Sequence, residues 1–364
     1  MDEAYHRALV SGDLKGVRPA LLRGGLSGLA IGYGLAMQLR AWGYASGLLE
    51  TEKVPVPVIS LGNITTGGTG KTPLAAFVAQ WFRDHAVRVA FLSRGYGADP
   101  GAVNDEALVL NQLCPDVPHL QNPDRVAAAR IAIEELESQL LILDDGFQHR
   151  RLGRDLDIVL IDATNPWGYG ALLPRGLLRE PLSALRRASL VVLTRVDGVA
   201  EAQLQQIRQR LKTVRGTAEC VETSFPVRRL VNSQGETADW STLAAGPVAA
   251  FCGIGNPTAF QGLLARRGLS VAGDRFRVFP DHHRYSRDDV YALRDWSDKL
   301  GSPIVLTTQK DLVKLDLPRL NNSPLWAVEI GTEIHAGQDL LERHFADILQ
   351  RIPPDEFSDP SNGD

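Results

Sequence analysis

From Val54 onward, short apolar runs rich in β-branched residues alternate with longer stretches of helical periodicity. The strand-like runs fall at 56–62, 88–92, 140–143, 157–161, 190–193, 248–252 and 303–307. They are almost continuously apolar rather than alternating, as expected of strands covered on both faces of a parallel sheet. Helical patterns occupy 73–83, 124–137 and 201–213. Strands alternating with helices predict right-handed βαβ units and a doubly wound α/β sheet. The rhythm changes between 221 and 240, where Ser224-Phe225-Pro226 and Asn232-Ser233-Gln234-Gly235 predict turns around a short hairpin. The expected organisation is an N-terminal helical segment at 1–50, a core domain at 51–220, a hairpin-like linker at 221–240 and a smaller second α/β domain at 241–352. A Pro-, Asp- and Ser-rich tail at 353–364 is expected to be disordered.

The N-terminal segment carries its own pattern. Between Arg23 and Arg40 runs a stretch of Gly, Leu, Ala, Ile, Tyr and Met37 broken only by Ser27 and Gln38. It is shorter than the roughly 20 apolar residues that a spanning helix requires, and no small-residue cleavage site of a secretory signal follows it. Tyr33, Trp42 and Tyr44, with Arg18, Arg23 and Arg40, flank or punctuate it. Two readings stand: an amphipathic helix lying in the headgroup layer of a membrane, or one docked on the protein's own core. Periodicity alone does not say what the apolar face meets.

Composition narrows the function classes. A chain of 364 residues favours two domains, and 44% hydrophobic with 23% charged residues is ordinary for a globular protein. The formal net charge of -4 argues against a nucleic-acid binder. Cys114, Cys220 and Cys252 lie far apart without CxxC spacing, so neither a disulfide framework nor a zinc site is expected, and a reducing cytoplasm fits.

The strongest chemical signal runs from Ser60 to Pro73, Ser-Leu-Gly-Asn-Ile-Thr-Thr-Gly-Gly-Thr-Gly-Lys-Thr-Pro. An apolar strand enters a glycine-rich turn, then Lys71 and Thr72, then a helix whose Leu74, Phe77, Val78, Trp81 and Phe82 form one apolar stripe. In such a P-loop, Gly67, Gly68, Thr69 and Gly70 let backbone N–H groups converge on phosphate oxygens at a helix N-terminus. Lys71 reaches the β- and γ-phosphates, and the Thr72 hydroxyl binds Mg²⁺. The pattern departs from G-x-x-x-x-G-K-[ST] at its first glycine, where Thr65 stands. A P-loop NTPase-type core binding ATP and Mg²⁺ is therefore predicted.

A second apolar strand, beginning at Leu140, ends in Asp144-Asp145-Gly146-Phe147-Gln148-His149. Carboxylates at the C-terminal end of such a strand lie beside the phosphate loop, and one of Asp144 and Asp145 is expected to hold Mg²⁺. Gln148 and His149 are candidates for positioning phosphate or substrate. Arginines cluster at 150, 151 and 154, and again at 175, 179, 186 and 187. In an acidic protein such patches suit an anionic ligand or lipid headgroups, and a solvated helix face explains the second group as well.

Together these segments resemble the tetraacyldisaccharide 4′-kinase family of lipid A biosynthesis. The resemblance is carried by the phosphate loop, Ser93-Arg-Gly-Tyr-Gly97, Asp144-Asp-Gly-Phe-Gln-His-Arg150 and Leu173-Pro-Arg-Gly-Leu-Leu-Arg-Glu-Pro181. Gly253-Ile-Gly-Asn-Pro257, Phe279-Pro-Asp-His-His-Arg-Tyr285 and Lys310-Asp-Leu-Val-Lys314 extend it along most of the chain. It implies transfer of the ATP γ-phosphate to the 4′-hydroxyl of a tetraacylated glucosamine disaccharide 1-phosphate. It also implies a peripheral position on the cytoplasmic face of the inner membrane through the N-terminal helix, and a monomer is expected. An Asp–His dyad activates the hydroxyl in the family; by motif position these are Asp105 and His282. Asp145 and Glu180 would help to bind Mg²⁺, with Arg125 near the phosphates and Gln148 in the nucleotide site. Where the family reads Gly-Asp-Glu-Pro, this chain has Asn104-Asp105-Glu106-Ala107. Asp105 is equally placed to be the N-cap of a helix through Leu113. Sequence does not choose between His282 and His283, and two adjacent histidines beside Asp281 also suit a metal.

Two rivals remain. A switch-type NTPase of the ParA or metallochaperone group shares Gly-Gly-x-Gly-Lys-Thr, but those loops carry a lysine where this chain has Thr66. Thr194-Arg-Val-Asp197 weakly resembles a guanine-reading string. A membrane-docked scaffold that binds ATP only for stability leaves the carboxylate pair and the histidines unexplained.

Overall fold

The computed structural model describes residues 3–95, 103–245, 248–301 and 304–352. The tail at 353–364, the Tyr96-Gly97 end of one motif and Pro303 lie outside the described residues. Helices α1 (Glu3–Ser11) and α2 (Val17–Ala45) precede the first sheet. That sheet comprises β1 (Val58–Asn63), β2 (Val89–Ser93), β3 (His119–Gln121), β4 (Leu140–Asp144), β5 (Leu156–Asp162), β6 (Leu190–Thr194), β7 (Val221–Ser224) and β15 (Glu333–Ala336). Its order is β15-β7-β6-β5-β1-β4-β2-β3, and β7 through β3 are joined in parallel. Strands β1, β2, β4, β5 and β6 are buried at every position, as their unbroken apolar runs predicted. Helices α3 (Lys71–Asp84), α5 (Arg125–Glu134) and α6 (Glu201–Arg215) connect the strands. Two apolar clusters fill the layers, one built around Val159, Ile161 and Leu193, the other around Ala90, Leu92 and Leu141.

The second sheet runs β11 (Phe276–Val278), β10 (Val248–Cys252), β12 (Ile304–Thr308), β14 (Ser323–Ile330), β8 (Val227–Val231) and β9 (Thr237–Ala238), with β13 (Arg319–Leu320) pairing β14. Its β11, β10, β12 and β14 are parallel, whereas β8 and β9 form an antiparallel edge around the turn at Asn232. Helices α4 (Asp105–Leu113), α7 (Pro257–Arg266), α8 (Arg287–Leu300) and α9 (Gln309–Leu315) belong to this unit, and α10 (Gln338–Leu349) follows β15.

The division of the chain differs from the sequence expectation. One compact unit takes residues up to Gly95, Cys114–Ser224 and those from Ile334 on; the other takes α4 and Phe225–Glu333. The stretch at 221–240 is therefore not a linker. β7 closes onto β6 of the first sheet, and the Asn232 hairpin is part of the second. Nor is 241–352 one domain, because Phe345 of α10 packs on Trp81 and Phe82 of α3, with ring centroids 5.0 and 5.3 Å apart.

The N-terminal helix is longer than its apolar stretch suggested. α2 has 29 residues and is long and apolar enough to cross a membrane by length and composition. Arg23 and Arg40 do not interrupt it, because each folds back onto carbonyls: Arg23 onto Leu9 and Leu14, Arg40 onto Gln148. A narrow face of Ala30, Gly34 and Gly43 is buried. At Gly34 any Cβ would stand 3.0 Å from Leu172, and Tyr33 Oη donates to the Arg179 carbonyl at 2.8 Å. The wider face leaves Leu21, Leu29, Ile31, Leu35, Leu39 and Trp42 exposed.

Candidate nucleotide site and aspartate–histidine pair

β1 delivers the chain into the phosphate loop, and Gly70 (φ 90°) in the left-handed region opens α3. Gly67 also has φ 105°, and nothing within 4 Å would meet a Cβ at Gly67 or Gly68, so the loop presents open backbone at a helix N-terminus. The loop is braced from inside. Asn63 Nδ2 donates to Thr69 Oγ1 at 3.1 Å, Thr194 Oγ1 donates to the Thr69 carbonyl at 2.9 Å, and Arg195 donates to the Gly68 carbonyl at 2.7 Å. Arg195 is itself fixed by Asp162. The Thr194-Arg195 string thus shapes the phosphate loop. Thr72 is buried beneath it.

β4 ends at Asp144, and Asp145 turns out of the strand with φ 50°. That left-handed geometry is uncommon for a non-glycine residue and here aims the second carboxylate at Lys71 Nζ, 3.6 Å away, and at Arg179, 2.7 Å away. Burial would raise the Asp145 pKa, but Lys71 and Arg179 outweigh it and hold the carboxyl at about 2. The close approach of β1 to this corner depends on two glycines. A Cβ at Gly62 would lie 2.5 Å from Phe147 Cβ, and one at Gly146 would lie 2.6 Å from Ser60 Oγ.

Around the corner the arginine-rich segment folds back onto the loop. The Arg179 amide donates to the Ile64 carbonyl at 2.7 Å and the Thr66 amide to the Leu177 carbonyl at 2.8 Å. Arg179 also donates to Asn63 Oδ1 at 3.1 Å. Glu180 accepts two bonds from Arg187, at 2.7 and 2.8 Å, and one from Gln148 Nε2 at 3.0 Å. The sequence placed Glu180 among metal ligands; the structure shows both its oxygens engaged. Gln148 also donates to the Asn63 carbonyl at 3.0 Å, leaving its buried Oε1 without a partner. Arg125 is buried beside His149 and feels the charges of Asp144 and Asp145. Burial, Arg125, Arg154 and Arg40 push His149 down to about 4, so its ring is neutral near pH 7. Thr72, Asp144 and Asp145 are all hard oxygen donors, a set that suits Mg²⁺. Gly67, Gly68, Thr69, Gly70, Lys71 and Thr72 therefore lie in one unit with Asp144, Asp145, Gln148, Glu180 and Arg125.

The second unit holds the other predicted pair. Asn104 Oδ1 accepts from the Ala107 amide at 2.9 Å and caps α4. The cap is the residue before Asp105, which leaves the Asp105 carboxylate free for His282; both its oxygens lie 3.0 Å from His282 Nδ1. Lys314 stands 3.7 Å from Asp105, and Lys310 pairs with Glu106 at 2.7 Å. Burial opposes ionisation of Asp105, but the His282 hydrogen bond and these lysines hold its pKa at about 2. His282 is shifted the other way: the hydrogen bond to Asp105 outweighs burial and raises it.

The two histidines differ in their partners. His283 Nε2 lies 3.1 Å from Asp289, the carboxylate of the Ser286 capping box of α8. His282 adopts φ 54° and turns to Asp105. Among the described residues no group of three or more His, Cys, Asp and Glu could hold a metal there. The three C-terminal motifs meet at Asp311, which is fully buried. It accepts from the Gly253 amide at 3.0 and 3.1 Å, from Tyr285 Oη at 2.9 Å and from Thr308 Oγ1 at 2.7 Å, with Lys314 at 3.3 Å. This network anchors the histidine loop. Sequence reasoning missed the roles of Arg179, Arg187, Thr194, Arg195 and Lys314; for the first two, their places in the Leu173–Pro181 motif and the arginine cluster were the available signals.

Comparison with known proteins places this geometry in a family. A family model described as tetraacyldisaccharide-1-P 4′-kinase, LpxK, matches residues 22–350. The tetraacyldisaccharide 4′-kinase of Anaeromyxobacter sp. (strain K) is 39% identical over 336 residues, spanning 87% of this chain and 88% of that protein. The one from Geobacter sulfurreducens is 35% identical, spanning 89% of this chain and 93% of that protein. Among solved structures, LpxK from Aquifex aeolicus in complex with ATP aligns with a TM-score of 0.71 and 32% identity, covering 90% of this chain and 99% of that one. The chain therefore belongs to the tetraacyldisaccharide-1-phosphate 4′-kinase family.

Proposed function

We infer that this protein is an ATP-dependent phosphotransferase that moves the γ-phosphate to the 4′-hydroxyl of a tetraacylated glucosamine disaccharide 1-phosphate. The observation that carries the reading is the pairing, in one family member, of a braced phosphate loop with an ionised Asp105 held by His282. The loop amides and Lys71 neutralise the phosphates. Thr72, Asp144 and Asp145 would hold Mg²⁺, with Glu180 joining in exchange for its Arg187 and Gln148 bonds; the bound ion supplies charge neutralisation on the phosphates. Arg125 and Gln148 complete the nucleotide site.

Asp105 orients the acceptor hydroxyl and takes its proton. A carboxyl held at about 2 is ionised at neutral pH but weakly basic. Little proton transfer is needed early in a loose phosphoryl-transfer transition state. Loss of the His282 proton removes one of the cations that depress Asp105 and makes it the stronger acceptor. The exposed apolar face of α2 suits the cytoplasmic surface of the inner membrane, where an acylated substrate resides, with the chain held peripherally by that face while the opposite face stays docked. A monomer is sufficient for these roles.

The reading is tested by incubating the protein with ATP, Mg²⁺ and the acylated disaccharide 1-phosphate in detergent and fragmenting the product by mass spectrometry. One added phosphate on the 4′-oxygen is expected. Conversion of ATP with the lipid unchanged would instead favour the switch-type NTPase.

A further inference from the structure

In the second unit, α9 sets two lysines against the two acids that open α4. Its start is fixed by Thr308, whose side chain accepts from the Asp311 amide at 3.3 Å. Lys310 and Lys314 follow one turn apart on the same face. Lys310 pairs with Glu106 at 2.7 Å, and Lys314 reaches the neighbouring Asp105 at 3.7 Å. Lys314 Nζ also stands 3.3 Å from Asp311 and 5.6 Å from the centre of the Tyr285 ring. Its side chain is 13% exposed, against 6% for Asp105 and 0% for Asp311. With so little water nearby, these charges act on one another with little screening.

Asp311 does not need Lys314 to satisfy it. Its oxygens accept four bonds, two from the Gly253 amide and one each from Tyr285 Oη and Thr308 Oγ1, which fill the acceptor sites of a carboxylate. Lys314 Nζ, in turn, is buried without a hydrogen bond. An ammonium stripped of water and making no hydrogen bond is costly to keep, so a purely structural role would be served better by an apolar side chain. What the ammonium supplies is charge. Asp311 holds it in place, and it lies beside a carboxylate that His282 meets through both oxygens. Burial alone would raise the Asp105 pKa, and Lys314 is one of the cations that reverse this.

We propose that Lys314 is a positioning residue for phosphoryl transfer: anchored by Asp311, its ammonium fixes the Asp105 carboxylate against His282. The assignment rests on the reading of Asp105 as acceptor of the hydroxyl proton. His282 is faced by Asp105, Asp281 and Lys310, so removing a cation from beside Asp105 tightens the carboxylate's hold on the imidazolium proton. Full-length protein in detergent is assayed with ATP, Mg²⁺ and the acylated disaccharide 1-phosphate. Lys314→Met should lower kcat by about 10- to 100-fold, the cost of a small misplacement in a reacting pair, with KM for ATP unchanged. Lys314→Arg, which keeps the cation, should recover most of that loss. In an Asp105→Asn background, Lys314→Met should cost no more than about twofold, because its effect runs through that carboxylate. The His282 imidazole resonance, followed by NMR, should titrate at higher pH in Lys314→Met and as in wild type in Lys314→Arg. Lys314→Gln is read in the same way if the methionine variant does not fold.

Wild-type kcat in Lys314→Met would overturn the assignment. So would equal losses in both backgrounds with an unshifted His282 titration, which would confine Lys314 to supporting the fold. If Asp105→Asn itself turns over like wild type, the base reading fails and the assignment with it. A disabled Asp105→Asn beside a fully active Lys314→Met overturns the assignment alone.

Discussion

Asp105 shows how one neighbouring atom releases a carboxylate from helix capping. Its position at the start of α4 made it a natural helix cap, but Asn104 supplies the cap oxygen and Asp105 faces His282 instead. That choice was open in the sequence, because Asn and Asp cap equally well and three-dimensional proximity to His282 is not written in spacing. The adjacent histidines were equally ambiguous in the sequence; in the structure His283 meets the α8 capping box and His282 meets Asp105. Asp105→Asn should lower kcat by about 10²- to 10⁴-fold, the usual worth of a positioned general base, with KM for ATP unchanged. Steady-state kinetics at saturating ATP checks this; turnover within a few-fold of wild type would remove the base assignment. The paired shifts also fix a pH sign. Asp105, held at about 2, is ionised throughout the neutral range, whereas His282 stays protonated past the ordinary imidazole value of about 6.5. If a neutral His282 makes the better dyad, kcat/KM for the lipid rises with pH through an apparent value above 6.5. That limb should be absent in His282→Gln.

At the scale of elements, the phosphate loop was legible because its context is local: strand, glycines, Lys71, Thr72 and a striped helix follow one another in sequence. Its bracing was not, since Thr194 and Arg195 arrive from a neighbouring strand more than a hundred residues away. The long helix α2 was half legible. Apolar content gave its exposed face, but its docked face depends on Arg179, Gln148 and Leu172, which no periodicity in α2 could name. The exposed face carries Leu35, Leu39 and Trp42 on the outside of a fixed helix. Replacing all three with Ser should reduce partition onto anionic vesicles by at least about tenfold, given roughly 1.5–3 kcal/mol for each large apolar side chain fully buried. Sedimentation with vesicles measures this, and thermal stability should barely change because these side chains touch little of the protein. Unaltered partition would mean that the face meets something other than a membrane.

At the scale of the whole molecule, the strand–helix rhythm gave the α/β class and β1, β2, β4, β5 and β6 of the larger sheet, but not β3, β7 or β15. The division of the chain was misread because composition marks turns, whereas units are defined by which strands hydrogen-bond. The chain leaves the first unit to supply α4, returns, leaves again at Phe225 and comes back through β15 and α10. The C-terminal helix therefore supports the nucleotide-binding unit: Phe345 is fully buried against Trp81 and Phe82. Phe345→Ala should cost that unit about 3–5 kcal/mol. Calorimetry with and without ATP should show the loss in the ATP-stabilised transition; a loss confined to a nucleotide-insensitive transition would contradict the topology.

The most direct test of the account follows the fate of γ-labelled phosphate from ATP with Mg²⁺, with and without the acylated disaccharide 1-phosphate, for wild type and Lys71→Ala. The account predicts label in the lipid, little release without lipid, and loss of transfer in the variant. Label appearing as inorganic phosphate at the same rate whether or not lipid is present would contradict it.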